Sequence, residues 1–255
     1  RAISEARRHA RVNVIASAAA QSFTALPSFE QWRSSPDAGY CHITSNETGN
    51  GLQLRDFPQL AVPLVADMTS DFLTRPIPVE RFGLIYASAQ KNLGIAGLCV
   101  VIVHQNLLRR PPRHLPAAFS YAVQAEQQSR FNTPPTFALY VAGLMLRWIR
   151  QNGGLPAMDE AAQRRSRELY RYIDTSRIYR CRQHPPDRSA INVCFRLIEP
   201  GLTDTFVQQA AQHGLYNLHG HAAEGGIRAS LYNAMPQAGV RRLIAFMTAF
   251  EHAHG

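Results

Sequence analysis

The chain has 255 residues, 45% of them hydrophobic and 18% charged, a composition typical of a globular protein with one large domain or two smaller ones. No apolar run reaches the roughly 18 residues of a membrane-spanning helix, and the four cysteines lack the spacing of disulfides or zinc sites, so we expect a cytoplasmic protein. The net charge is +9, but the arginines are scattered, which argues against nucleic-acid binding and is explained equally well by anionic substrates or cofactors.

Residues 1–103 predict a sheet of the α/β class. Residues 1–11 are typical of a helix and residues 12–16 of a strand, with a short helix near Trp32. Because Arg1 stands where a start methionine would be and the first helix has no clear beginning, we expect a preceding segment. Apolar runs predict strands at residues 40–44, 60–66, 81–87 and 93–103, and residues 45–51 predict a turn. Strands that are apolar almost throughout predict a sheet covered on both faces.

The second half of the chain predicts further helices at the end of the first domain, followed by a second domain. Residues 109–116, rich in Arg and Pro, predict an exposed loop. The next helix, which Gly153 and Gly154 should end, has apolar residues at helical spacing: Phe137, Tyr140, Val141, Leu144, Met145 and Trp148. Beyond it the pattern predicts a helix to about residue 172, a strand at 191–198, a helix at 204–213, two short strands and a helix at 237–253. We therefore expect a large domain of residues 1–154 and a small α/β domain of residues 155–255.

Lys91 is the only lysine among the 27 Lys and Arg residues of the chain. Arginine stays protonated at any working pH, whereas a buried lysine can lose its proton and form a Schiff base with a carbonyl. A surface lysine without any role is the alternative. Lys91 lies between two predicted apolar strands, however, which is not a position typical of solvated charge. The pattern therefore favours a chemical role for this amine.

Asp67 ends the predicted strand at residues 60–66, 24 residues before Lys91. In open α/β sheets, ligands bind at the carboxyl ends of the strands. A lysine and an aspartate at such ends suit pyridoxal phosphate, because the lysine can bind it covalently while the carboxylate keeps the pyridine nitrogen protonated. The alternative is that Asp67 only caps the turn that follows it.

Four segments resemble the phosphoserine aminotransferase family, which is of fold type I and depends on pyridoxal phosphate. They read VADMTS at residues 65–70, GLIYASAQKN at 83–92, FNTPPTF at 131–137 and GGIRASLYNAM at 225–235. The resemblance runs from the first residue to the last, but the family's N-terminal segment has no counterpart. It implies a homodimer that transfers an amino group between glutamate and 3-phosphohydroxypyruvate, giving O-phosphoserine and 2-oxoglutarate, in serine and pyridoxine biosynthesis.

The resemblance also implies roles for residues around the cofactor. Lys91 would form the Schiff base and move the proton, and Asp67 would pair with the pyridine nitrogen. Thr48 would bond the ring oxygen and Gln90 would reach the phosphate. Residues Asn132 and Thr133 would reach the phosphate of the partner subunit, so that two chains share each site. Alternatively, these two residues only cap the following helix.

For the substrate, the resemblance implies that Arg228 holds the α-carboxylate and that His221 lies near the phosphate or side-chain carboxylate. Ala222 replaces an arginine that is usual in the family, so we expect a weaker grip on phosphate. Ala222 leaves open an aminotransferase for a different amino acid, and the missing N-terminal segment leaves open a folded remnant that no longer binds the cofactor. Two further alternatives are an ion pair of Arg228 with a core carboxylate and a metal site at His219 and His221.

Overall fold

The computed structural model describes residues 2–109 and 115–255, so most of the loop predicted at residues 109–116 lies outside the described residues. The described residues form seven α-helices and nine strands, together with short 3₁₀ turns. The helices are α1 (Ala2–Ala6), α2 (Gln105–Leu108), α3 (Tyr121–Glu126), α4 (Thr136–Gln151), α5 (Gly154–Thr175), α6 (Thr203–Gln212) and α7 (Gln237–His254). The strands are β1 (Cys41–Thr44), β2 (Asn46–Glu47), β3 (Leu52–Gln53), β4 (Leu64–Asp67), β5 (Leu84–Ser88), β6 (Cys99–Val103), β7 (Tyr179–Arg180), β8 (Asn192–Leu197) and β9 (Ile227–Ser230). None of the helices in these ranges is long and apolar enough to cross a membrane.

The first sheet has the order β1-β4-β5-β6, with three parallel strands and an antiparallel β6 at the edge. Thr44 pairs with Asp67, and Asp67 pairs with Tyr86, so the carboxyl ends of the parallel strands lie side by side. The strands are held by a buried apolar cluster that includes Leu64, Met68 and Ile85. The predicted α/β class is confirmed, the first sheet is mainly parallel, and the carboxyl ends of its parallel strands lie at one edge.

Several strand predictions for the first half were wrong in extent. Residues 12–16 form no strand, and the first helix ends at Ala6. The strand predicted at 60–66 begins only at Leu64, directly after Pro63, whose ring nitrogen cannot donate to a ladder. The strand predicted at 93–103 begins at Cys99, because Gly97 has a φ of +104° and turns the chain.

The second sheet has the antiparallel order β7-β8-β9. Helices α5, α6 and α7 contribute to a core of its own, in which Tyr179, Phe206 and Met247 are fully buried. The strand and the helices predicted for this unit are confirmed, with ends shifted by a few residues. Of the two short strands predicted after α6, only β9 forms, since His219 makes just an isolated bridge to Ile227.

Phe206 lies at the centre of this second core, with its ring centroid 5.1 Å from those of Phe246 and Phe250. We expect Phe206→Ala to lower the free energy of unfolding by about 3–5 kcal/mol, because it leaves a cavity that the surrounding rings cannot fill. Chemical denaturation of the purified protein measures this loss. Tyr216, whose side chain is 70% exposed, is the matched control. Similar losses for Phe206→Ala and Tyr216→Ala would contradict the assignment of this core.

Helix α4 is confirmed, but much of its apolar stripe faces outward. Phe137 and Tyr140 are 69% and 61% exposed, and Leu144 is also exposed. The residues that α4 buries are mainly small ones, Ala138 and Ala142, together with Ile149. The helix therefore presents a row of large apolar side chains that no described residue of this chain covers.

Candidate active site

Lys91 lies in the tight loop between β5 and β6, closed by the bond from the Gly94 N–H to the Ala89 carbonyl (2.7 Å). Its side chain is half-buried and its Nζ donates to Thr48 Oγ1 at 3.0 Å. Thr48 belongs to the turn between β2 and β3, so the fold joins two groups that are 43 positions apart. Burial lowers the pKa of the Lys91 amine, and the nearby Asp67 carboxylate opposes that shift.

Asp67 stands at the carboxyl end of β4 and its Oδ1 accepts the Thr69 N–H at 2.9 Å. The carboxylate therefore caps the turn, as in the alternative interpretation, and its charge also acts on the Lys91 amine. Two residues that the sequence did not single out lie beside it, His42 and Tyr86, whose ring Nε2 and hydroxyl are 2.9 Å apart. Burial raises the pKa of Tyr86, with the Asp67 charge adding to the rise, and burial lowers the pKa of His42. The signal for this pair was the register of β1, β4 and β5, which only the structure supplies.

Arg228 on β9 brings a third charge to the amine, since its guanidinium lowers the pKa of Lys91 further. Its Nε is buried and has no hydrogen-bond partner among the described residues. Within those residues it forms no ion pair with a carboxylate, so the alternative of a core salt bridge is not realised. A partly exposed guanidinium whose buried Nε has no partner is a ready binding group for an external carboxylate.

His221 packs against the turn that carries Thr48, because a Cβ placed on Gly49 would lie 3.4 Å from the His221 ring. Its Nδ1 accepts the Ala223 N–H at 3.2 Å. The ring is exposed and borders the same side of the site. In the part of the chain that the structure describes, no group of three His, Cys, Asp or Glu side chains could hold a metal ion.

The remaining residues predicted for the site, Gln90, Asn132 and Thr133, make no hydrogen bond to Lys91 in the structure. Gln90 is exposed and adjoins Lys91 in the same loop. Asn132 and Thr133 are exposed ahead of α4, and the structure gives no contact between them and Lys91. Helix α4 begins after Pro135 without a side-chain cap, so a capping role for these two residues is not seen.

The side chains gathered around Lys91 match the binding groups of pyridoxal phosphate. An amine with a lowered pKa, a strand-end carboxylate and a hydroxyl occupy one edge of the sheet, and a buried guanidinium Nε has no partner. These are the groups needed to bind an aldehyde, a ring nitrogen, a ring oxygen and a substrate carboxylate. The residues fit that cofactor.

Comparison with known proteins identifies the class. The profile described as Aminotransferase class-V matches residues 2–243, so this fold and site are those of a class-V aminotransferase. The phosphoserine aminotransferase of Nitrosomonas europaea is 47% identical over 263 residues, covering 100% of this chain and 72% of that protein. That of Laribacter hongkongensis is 46% identical, covering 100% and 71%. The chain belongs to the phosphoserine aminotransferase family, as the four sequence segments predicted.

Solved structures agree with this assignment. The phosphoserine aminotransferase from Bacillus circulans subsp. alkalophilus superimposes with a TM-score of 0.98 at 39% identity, over 100% of this chain and 71% of that one. The pyridoxal-phosphate-bound phosphoserine aminotransferase from Trichomonas vaginalis superimposes with a TM-score of 0.85 at 37% identity, over 88% and 64%. The fold-type I prediction is therefore confirmed.

Proposed function

We propose that this protein is a pyridoxal-phosphate-dependent transaminase that moves an amino group between glutamate and 3-phosphohydroxypyruvate. The products are 2-oxoglutarate and O-phospho-L-serine, the chemistry of serine and pyridoxine biosynthesis. The observation that carries the proposal is the half-buried Lys91 amine, which is bonded to Thr48 and feels the opposed charges of Asp67 and Arg228. The similarity to phosphoserine aminotransferases supports the choice of substrates.

Four residues would hold the cofactor. Lys91 would anchor it covalently, Asp67 would pair with the ring nitrogen, Thr48 with the ring oxygen, and Gln90 with the phosphate. When bound, pyridoxal phosphate supplies a protonated ring that accepts the electron pair left on the substrate α-carbon. Asp67 can keep that ring protonated because it is a strand-end carboxylate held in place by the Thr69 N–H.

Lys91 Nζ would take the proton from the substrate α-carbon and deliver it to the C4′ carbon of the cofactor, and it would move a proton in the opposite direction in the second half of the reaction. An amine acts as a base only when neutral, and the lowered pKa of Lys91 increases the neutral fraction at a given pH. Arg228 would bind the substrate α-carboxylate, and its partnerless Nε supports that role. His221 would lie near the phosphate or the side-chain carboxylate.

The assembly and location are also part of the proposal. We infer a homodimer with shared active sites, because Asn132 and Thr133 are exposed and α4 presents the uncovered side chains of Phe137 and Tyr140. The free cysteines of the described chain suit a reducing cytoplasm. The division into residues 1–154 and 155–255 is supported by two separate buried clusters, within residues 41–85 and 169–250.

Arg228→Met tests the carboxylate role. We expect kcat/KM for glutamate to fall by about 10²- to 10³-fold, mainly through KM, because two charge-assisted hydrogen bonds are lost. Arg228→Lys keeps the charge but not the planar fork, so it should recover only part of the loss. Arg241, whose side chain is 70% exposed, supplies the matched control as Arg241→Met. An unchanged KM in Arg228→Met would remove this residue from the site.

Steady-state assays with glutamate as amino donor test the choice of acceptor. We expect turnover with 3-phosphohydroxypyruvate to exceed turnover with pyruvate or glyoxylate. The His221-Ala222 sequence favours a second candidate, a transaminase of altered specificity, and a preference for pyruvate or glyoxylate would support it instead. A protein that binds no pyridoxal phosphate would be the folded remnant.

A further inference from the structure

A cluster of buried polar side chains joins the two sheets beneath the site. We call it the amide seam, and it comprises Asn46, Ser70, Asn92, Ser189, Asn192 and Asn233. Each of the six is less than 5% exposed. Buried amides and hydroxyls are costly unless they are bonded, and bonded networks fix one geometry more strictly than apolar packing does. None of the six residues has a role toward the cofactor or the substrate in the function proposed above, so the cluster needs another explanation.

The first branch of the seam runs from Asn46 to β9. Asn46 Nδ2 donates to Ser70 Oγ and to Asn192 Oδ1, both at 2.8 Å, and Asn46 Oδ1 accepts from Ser189 Oγ at 2.5 Å. Asn192 Nδ2 then donates to Ser230 Oγ at 3.0 Å. Asn46 lies two residues before Thr48, and Ser230 lies two residues after Arg228. A chain of two hydrogen bonds thus connects the Thr48 hairpin with the Arg228 strand.

The second branch starts beside the lysine. Asn92 Nδ2 donates to the Ser70 carbonyl at 3.1 Å, and Asn92 Oδ1 accepts the Asn233 N–H at 3.0 Å. Asn233 Nδ2 in turn donates to the Leu73 carbonyl at 2.8 Å. Because Asn92 follows Lys91 and both branches meet at Ser70, the amine is tied to the same seam.

The reaction needs this connection. Lys91 and Thr48 belong to the part of the chain built on the first sheet, whereas Arg228 belongs to the second. A substrate whose carboxylate is held by Arg228 presents its α-carbon to Lys91 only if the two parts keep a fixed distance. Misplacement by about 1 Å can cost 10²-fold in rate. We propose that Asn46 is a positioning residue, which through Asn192 and Ser230 sets Arg228 relative to Thr48 and Lys91.

The inference rests on the proposed function and is tested by Asn46→Ala in the holoenzyme. Thr74→Ala is the matched control, because Thr74 is equally buried and its hydroxyl donates to the Asp71 carbonyl at 2.6 Å. This hydrogen bond lies within the part of the chain built on the first sheet and does not connect it to the second sheet. We expect both variants to lose stability to denaturant. Only Asn46→Ala should lower kcat/KM for glutamate, by about 10- to 100-fold with a raised KM. The affinity for 2-methylglutamate, which lacks the proton to be removed, should fall in parallel.

Equal KM values and equal analogue affinities in Asn46→Ala and Thr74→Ala would overturn the inference, leaving Asn46 a purely structural residue. If Asn46→Ala does not fold, Ser230→Ala removes only the far end of the first branch and should still raise KM for glutamate several-fold. An unchanged KM there would overturn the inference as well. The two proposals fail differently, since an unmutated protein inactive with glutamate contradicts the function, whereas an active one with insensitive variants contradicts only the role of Asn46.

Discussion

Lys91→Ala is expected to abolish transamination and the covalent retention of pyridoxal phosphate. Loss of the proton transfer alone costs about 10²- to 10⁴-fold in kcat, and loss of the anchoring amine adds to it. Because the chain has a single lysine, borohydride reduction of the loaded protein should place the whole mass increment on the peptide that contains residue 91. Kinetic assays and mass spectrometry of the reduced protein measure both effects.

Lys91→Arg is the control for charge. It keeps a cation near Thr48 and Asp67 but offers no amine that can lose its proton. It should therefore be as inactive as Lys91→Ala. Activity in Lys91→Arg, or a reduced adduct on any other residue, would contradict the role of this amine.

Asp67→Asn is expected to have the second-largest effect. Asp67 would stabilise the charge that develops on the cofactor ring, and removing one such preorganised group costs about 10²- to 10³-fold in kcat. The variant should also shift the pKa of Lys91. Since the Asp67 charge raises that pKa and Arg228 lowers it, Asp67→Asn should lower it further, whereas Arg228→Met should raise it.

The pH dependence of the reaction of pyridoxal phosphate with the cofactor-free protein reports this pKa. An amine reacts once it is neutral, so the midpoint should move to lower pH in Asp67→Asn and to higher pH in Arg228→Met. Shifts of the same sign in both variants would contradict the opposite effects of the two charges on Lys91.

Much of the site could be predicted from the sequence because its chemistry depends on local patterns. Lys91 and Asp67 stand out as polar residues next to apolar runs, and the motif around Arg228 is itself distinctive. The Thr48–Lys91 contact and the His42–Tyr86 pair could not be derived from the residues alone, since they depend on strand order and register. The amide seam was missed for the same reason, because Asn46 and Asn192 are 146 positions apart.

The errors in the fold also have physical causes. Residues 12–16 have the propensity of a strand but pair with none, and Val14 is 46% exposed. Strand propensity reflects packing against neighbours and is weak without them. Helix α4 was predicted correctly because its signal is local, but its spacing could not show that Phe137 and Tyr140 face away from the described chain.

The amide seam also limits how the two halves of the chain can move. A hinge motion that separated Asn192 from Asn46 and Asn233 from Asn92 would leave buried polar groups without hydrogen-bond partners. Each unpaired group would cost about 1–3 kcal/mol. Such an open state would be rarely populated. Substrates would then enter through small local changes at the mouth of the site, not through rotation of one half of the chain against the other. Liganded and ligand-free crystals of this protein should then superimpose without a rigid rotation of β8 and β9 relative to β2.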